Sequence, residues 1–286
     1  MGSENPEKAA IRNQGRNFSP TEISVLTKQL NQFSTGAPQL DDFVDVFSVD
    51  EIARDKAECE RLLAKFDKEM TPQEKEEKFY ATVLEMIIMQ LSNAWLPGQL
   101  SKTSSYDDLH NKTDLYLEIP TDDGSTLKIS IDVTAGATRA TEKIGKILSE
   151  DIPHNRFARL KYFQSDYDPE KKGRTEMPSV VVGADREEIV ELARLFLDLT
   201  KLKGGLKERK HEDLIKHVFG KELFFDVLMQ LEIALDILSD PSKLESVNRI
   251  VRQFKDYQKQ KTLQIKDLES KNKVHLAIQS CLPIAA

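Results

Sequence analysis

The chain has 286 residues and a formal charge of −7, with 41 Lys and Arg against 48 Asp and Glu. That length accommodates a full hydrophobic core without a disulfide or a structural metal, and the acidic balance excludes a histone-like polybasic protein while leaving room for a local basic groove. Cys59 and Cys281 lie far apart, outside any CxxC motif, and fit a reducing compartment. The polar N-terminus carries no apolar stretch for a secretory signal, and the most apolar segment, Leu223 to Leu238, is interrupted by Asp226, Gln230, Glu232 and Asp236. A cytoplasmic location without a membrane span is the expectation.

Residues 1–20 lack periodicity and read as a disordered N-terminus. Ser19-Pro20-Thr21-Glu22 is a helix start, with Pro just inside the cap and Glu three residues after Ser. That helix runs to about Phe33 and breaks at 34–38, and a charged second helix spans Val49 to Glu69, giving a helical N-terminal extension over 21–70. Thr71-Pro72-Gln73-Glu74 repeats the start signal and launches a long helix to about Trp95, stopped by Pro97-Gly98. Thr113 to Ile119 alternates as a strand with Leu115, Leu117 and Ile119 on one face. After the turn formers of 120–125 a second strand follows, with Leu127, Ile129, Ile131 and Val133 on its apolar face.

A helix from about Thr138 to Glu150 comes next. Residues 156–175 read as one long structureless loop, a rim over a site. Pro178 to Val182 is a β-branched run of the kind buried on both faces, and Asp185 caps a helix to about Lys201. Beyond Gly204-Gly205, residues 211–239 and 241–281 are helical and divide at Asp240-Pro241. The expected organisation is an α/β core over 71–205 and a C-terminal helical region over 206–286, with a homodimer formed through helix 223–238.

Matching the apolar faces of the two strands allows a register in which Glu118 faces Lys128, Tyr116 faces Ser130 and Asp114 faces Asp132. The first pair is favourable. The last sets like charges opposite each other, which destabilises a ladder unless a cation lies between them. Two convergent carboxylates suit a hard divalent ion such as Mg²⁺. Asp132 also stands between Ile131 and Val133 in a central strand, where Asp is disfavoured. Upstream, Glu85 is the ionised side chain of the apolar run Ala81 to Leu91, either on a solvated stripe with Glu77 and Ala81 or held for a purpose. Asp107 and Asp108 precede His110 without a second ligand cluster of zinc type.

Helix-borne Glu85, strand-borne Asp114, a hairpin, Ile131-Asp132-Val133-Thr134, then a helix and a strand form an order that resembles the PD-(D/E)XK nuclease superfamily over about residues 74–202. Tyr106 to Asn111 fits the loop through which such proteins enter the first metal-bearing strand. The resemblance implies an α/β fold of the restriction-endonuclease-like type, a small mixed sheet flanked by helices with additional helical segments at both ends. It implies Mg²⁺ or Mn²⁺ held by Glu85, Asp114, Asp132 and the backbone carbonyl of Val133, and metal-dependent phosphodiester hydrolysis of DNA or RNA.

One position departs from the pattern. Thr134 stands where the family has a lysine that positions water and stabilises charge on the phosphate. Lys128 shares a strand face with Asp132, and Lys143 or Lys146 lies on the next helix, where superfamily members sometimes carry the lysine. Lys143, nearest the strand end, joins Asp114 and Asp132 as the catalytic candidate, a solvated helix position being its ordinary alternative. If no lysine serves, the expectation is a catalytically inactive nuclease-fold binding or scaffold protein. Basic stretches at Lys171 to Arg174, Lys201 to His211 and along Lys255 to Lys273 are further places for phosphates, or solvated surface.

Overall fold

Ser19 and Thr71 each open a helix in the same way, the hydroxyl accepting the backbone N–H of the residue three positions on while that residue's glutamate returns the bond. The first box starts α1 (Pro20–Ser34) and the second starts α3 (Pro72–Trp95), with α2 (Val49–Glu69) between them. The computed structural model describes residues 17–264 and 270–282. Most of the N-terminal stretch expected to be disordered lies outside the described residues. Its end departs from that expectation, because Phe18 is buried and stacks on Tyr80 at 5.0 Å between ring centroids.

The molecule is mixed α/β. A three-stranded antiparallel meander, β1 (Gln99–Lys102), β2 (Leu115–Pro120) and β3 (Thr126–Thr134), is joined through α4 (Ala137–Lys146) and a π-turn (Ile147–Asp151) to a hairpin. The hairpin strands are β4 (Ala158–Gln164) and β5 (Lys172–Met177). They lead to β6 (Ser179–Gly183), which lies parallel to β3 and gives a four-stranded sheet of order β1-β2-β3-β6. Helices α5 (Arg186–Lys201), α6 (Gly205–Ile215), α7 (Val218–Ile237), α8 (Pro241–Lys261) and α9 (Lys273–Cys281) complete the chain.

The core forms between α3 and one face of this sheet. Val83, Leu84, Ile87 and Ile88 of α3 meet Leu115, Leu117, Ile129 and Ile131, all fully buried. Each such side chain contributes about 1.5–3 kcal/mol by leaving water, which is enough to fix the face of each strand. Gly98 sits where β1 begins, and a Cβ there would overlap the Glu118 carbonyl, so glycine is what lets the chain turn out of α3 onto the edge of β2.

The β2–β3 register is the one the alternation predicts, with Tyr116 opposite Ser130 and Glu118 opposite Lys128. Their side chains nevertheless go elsewhere. Glu118 accepts from Ser165 Oγ at 2.9 Å and from the Asp166 amide at 2.7 Å, while Lys128 lies over the Phe163 ring at 4.1 Å. The expected loop over 156–175 is corrected to the β4–β5 hairpin, whose Tyr162 and Phe163 are buried. Residues 99–102, unassigned from the sequence, form the edge strand β1.

The apolar helix α7 is consumed inside the chain. Leu223, Phe224, Val227 and Leu231 are buried in the main core, which leaves the expected dimer face on this helix without support. No helix among the described residues is long and apolar enough to cross a membrane. At the free edge of the sheet, Gln230 of α7 substitutes for a neighbouring strand. Its Nε2 donates to the Val181 carbonyl at 2.7 Å and its Oε1 accepts the Val181 amide at 2.9 Å.

Candidate functional site

Four carboxylates converge on one cleft between α3, the start of β2, the end of β3 and α4. Glu85 faces inward from α3 with 7% of its surface exposed, and its Oε2 lies 3.4 Å from Lys102 Nζ at the end of β1. Asp114 stands one residue ahead of β2, and its Oδ2 accepts the Val133 amide at 2.7 Å. Asp132 on β3 meets Lys143, with Nζ 2.5 Å from Oδ1. Asp108 reaches the same cleft from the π-turn Asp107–Asn111.

The local chemistry explains each placement. Asp107 is a buried anchor: Oδ1 accepts the Lys161 amide at 2.7 Å and Oδ2 accepts the Tyr162 amide at 2.9 Å, which ties the π-turn to β4. With Asp107 turned toward β4, the next residue, Asp108, lines the cleft. Lys143 reaches Asp132 because Gly136 caps α4 two residues after β3 ends, and the lysine, seventh residue of the helix, is within two turns of the strand end.

Burial raises Glu85, Asp108 and Asp114, and neighbouring carboxylates add to it. Burial pushes the Asp114 carboxyl well above the usual carboxylate range, the charges of Glu85, Asp132 and Asp108 add to this, and the Val133 amide opposes it. Glu85 is pushed up to about 7, chiefly by burial, with Lys102 pulling back and Asp108 pushing further. Asp108 is raised in the same way by burial, against the pull of Lys78 and Lys102.

The structure thus brings together Glu85, Asp114, Asp132 and Lys143, as the sequence suggests. The Val133 side chain belongs to the core, and its amide belongs to Asp114. Thr134 is buried beside the cleft and brings no charge. Lys128 is held away, with its Nζ 3.3 Å from Thr175 Oγ1, and Lys146 lines the cleft beyond Lys143. Sequence reasoning missed Lys102 and Lys78 and gave Asp108 no part. The Asp107-Asp108 pair was the available signal, one side chain anchoring and the other facing the cleft.

The basic stretches fare differently. Lys171, Lys172 and Arg174 are paired with Asp168, Asp45 and Glu51, and Lys255 and Lys259 with Glu232 and Asp256. Lys203, Lys207 and Lys210 lie outside the cleft.

Among the described residues no group of three or more His, Cys, Asp or Glu side chains is arranged to hold a metal ion. In the present arrangement Lys143 and Lys102 supply the nearest positive charges to Asp132 and Glu85. No family model, curated protein or solved structure matches the chain.

Proposed function

We propose that the chain is a divalent-metal-dependent nuclease of the PD-(D/E)XK type, hydrolysing phosphodiester bonds of nucleic acid. The observation that carries this reading is the Lys143–Asp132 contact of 2.5 Å. It puts an ammonium beside the carboxylate of the Asp-Val-Thr tripeptide, where Thr134 leaves the family's lysine missing. The order helix, Asp114, hairpin, Asp132, helix, parallel strand supports the restriction-endonuclease-like fold.

Asp114, Asp132 and Glu85 are oxygen donors of the type a hard cation takes, but their present arrangement is not one that holds an ion, so a divalent ion would have to draw them together, and the resemblance adds the Val133 carbonyl. When bound, Mg²⁺ or Mn²⁺ supplies an acidified water and neutralises charge developing on the phosphate. Lys143, beside Asp132, would stabilise the same charge. Lys102 holds Glu85 in place from the edge strand.

The test is Mg²⁺- and Mn²⁺-dependent cleavage of labelled single- and double-stranded DNA and RNA, with Asp132→Asn as control. Loss of cleavage with both chelator and substitution supports the reading. A second reading, an inactive nuclease-fold binding protein, is favoured by the two lysines that already neutralise Glu85 and Asp132 without a metal. Retained nucleic-acid binding with no cleavage of any substrate selects it.

A further inference from the structure

Helix α4, which carries Lys143, takes its seat from the last helix of the chain. The buried residues of α4 are Ala140 and Ile144, and neither belongs to the core between α3 and the sheet. They join Val274 and Ile278 of α9, Leu282 just beyond it and Val181 of β6 in a separate apolar cluster. The helix accordingly packs chiefly against α9, with less of its surface on β6 and β3. Lys143 stands about 60° around α4 from Ala140 and next to Ile144 in the chain. Any roll of α4 on α9 therefore moves the ammonium relative to Asp132.

Polar groups fix α9 in turn. His275 is fully buried, with Nδ1 2.6 Å from Asp226 Oδ1 of α7 and Nε2 2.8 Å from Gln279 Nε2 one turn on. Asn272 caps the helix, its Oδ1 accepting the Val274 amide at 3.0 Å and the Asp185 amide at 3.1 Å. Asp185 Oδ2 accepts the Lys273 amide at 3.1 Å, which closes the clamp from α5. Val274 and Ile278 lie one turn apart on one face of α9, and His275 and Gln279 lie one turn apart on the adjoining face. Turning His275 away from Asp226 would leave two buried groups unpaired. The polar face thus sets the rotation of α9 and aims its apolar face at α4.

Resting on the proposed nuclease reading, we infer that α9 positions Lys143 over Asp132, with Ile278 the residue that seats α4 and His275 the anchor that aims Ile278. Both side chains are buried, so they act through Lys143 and do not touch the substrate. A reacting group displaced by about 1 Å can lose on the order of 10² in rate, so a helix remote from the cleft can govern the chemistry.

The test reads Lys143 in two ways on the full-length protein. The first needs no activity: brief acetylation of amines, followed by mass spectrometry, compares Lys143 with exposed Lys78 of α3. The reagent reaches Lys143, whose side chain is 35% exposed. In Ile278→Ala, Lys143 is expected to react severalfold faster relative to Lys78, having lost its fixed contact with Asp132. Ile278→Val should fall between this variant and the wild type, and Leu276→Ala, on the exposed side of α9, should match the wild type. An unchanged ratio in Ile278→Ala overturns the inference.

The second is a double-mutant cycle on single-turnover cleavage. Ile278→Ala is expected to slow cleavage about tenfold or more at unchanged substrate affinity, and to add nothing to the loss in Lys143→Met. An equal loss in both backgrounds is what plain destabilisation gives, and it overturns the inference. His275→Leu should act as Ile278→Ala does, whereas His275→Asn, whose Nδ2 can donate to Asp226 in place of Nδ1, should restore much of the rate. If Ile278→Ala does not fold, Ile278→Val carries both measurements with the same signs. A wild-type chain that cleaves no substrate overturns the nuclease reading, and the acetylation ratio alone then decides whether α9 holds Lys143 in place.

Discussion

Lys143 and Asp132 meet across one strand-to-helix turn, Nζ to Oδ1 at 2.5 Å, with the lysine 35% and the aspartate 13% exposed in their side chains. The contact places a positive charge over the end of β3 without using the strand itself. A lysine acting on the phosphate is missed in the transition state more than in the fold. Lys143→Met is therefore expected to lower cleavage by about 10²–10³-fold, as for loss of one oxyanion donor, with little change in thermal midpoint. Lys143→Arg should retain part of the rate. Single-turnover kinetics beside circular dichroism would check this. A rate unchanged in Lys143→Met would remove the lysine from the mechanism.

Crowding of Glu85, Asp108 and Asp114 makes the metal-free protein sensitive to pH. All three carboxyls are raised in the folded state, so the native chain holds more protons than the unfolded one above the usual carboxylate range. Stability from this cluster is fully present at low pH and is lost as pH rises, through about 7 for Glu85. A divalent cation binding the ionised cluster reverses that loss. Mg²⁺ or Mn²⁺ should accordingly raise the melting temperature more at about pH 8 than at about pH 5.5. Asp114→Asn should raise the metal-free midpoint at the higher pH and blunt the metal response. An identical shift at both pH values would mean that the ion binds elsewhere.

The parts of this fold legible in the sequence are those specified locally. The boxes at Ser19 and Thr71 place their helices, and the β2–β3 register follows from strict alternation through Leu115, Leu117, Ile129 and Ile131. Lys143 was legible because the strand end and the helix start together determine its height. The edge strand β1 was not, since Gln99-Leu100-Ser101-Lys102 is short and owes its conformation to pairing with β2, and Lys102 was hidden with it. The β4–β5 hairpin escaped because an irregularity between Leu160 and Phe163 breaks the alternation. Helix α7, apolar on most sides, reads equally as core or as interface, and only tertiary packing decides between them.

Away from the cleft, half-buried Glu188 of α5 lies beside buried Glu222 of α7, and the buried atoms Glu188 Oε2 and Glu222 Oε1 find no hydrogen-bond partner among the described residues. Glu222 Oε2 is held by Asn272 Nδ2 at 3.0 Å. Burial first, and then the Glu222 carboxylate, pushes Glu188 up to about 9. A proton retained on Glu188 satisfies both carboxyls at neutral pH. Because the folded value is raised, this contribution declines as pH climbs toward 9. Glu188→Gln supplies a permanent donor, so it should leave stability near neutral pH almost unchanged and raise it at about pH 9 by on the order of 1–2 kcal/mol. Urea titrations at the two pH values would measure this, and a parallel pH dependence in both proteins would show that Glu188 is not the titrating group.

Gln230 bears on how the strand next to Asp132 is kept in register. Val181 pairs with Asp132 in the parallel ladder, and its outward amide and carbonyl are both bonded to the Gln230 side chain. Val181 is fully buried and Gln230 is 4% exposed, so water has little access to replace the amide. Gln230→Met keeps the volume but strands two buried backbone groups, each costing about 1–3 kcal/mol. The substitution is therefore expected to lower unfolding free energy by about 2–4 kcal/mol, seen as a lower urea midpoint with an unchanged slope. Gln230→Glu should cost more, since it keeps the acceptor, loses the donor to Val181 and buries a charge. A change below about 0.5 kcal/mol for the methionine variant would mean that water or a backbone shift satisfies Val181, and that β6 is held beside Asp132 by the β3 ladder alone.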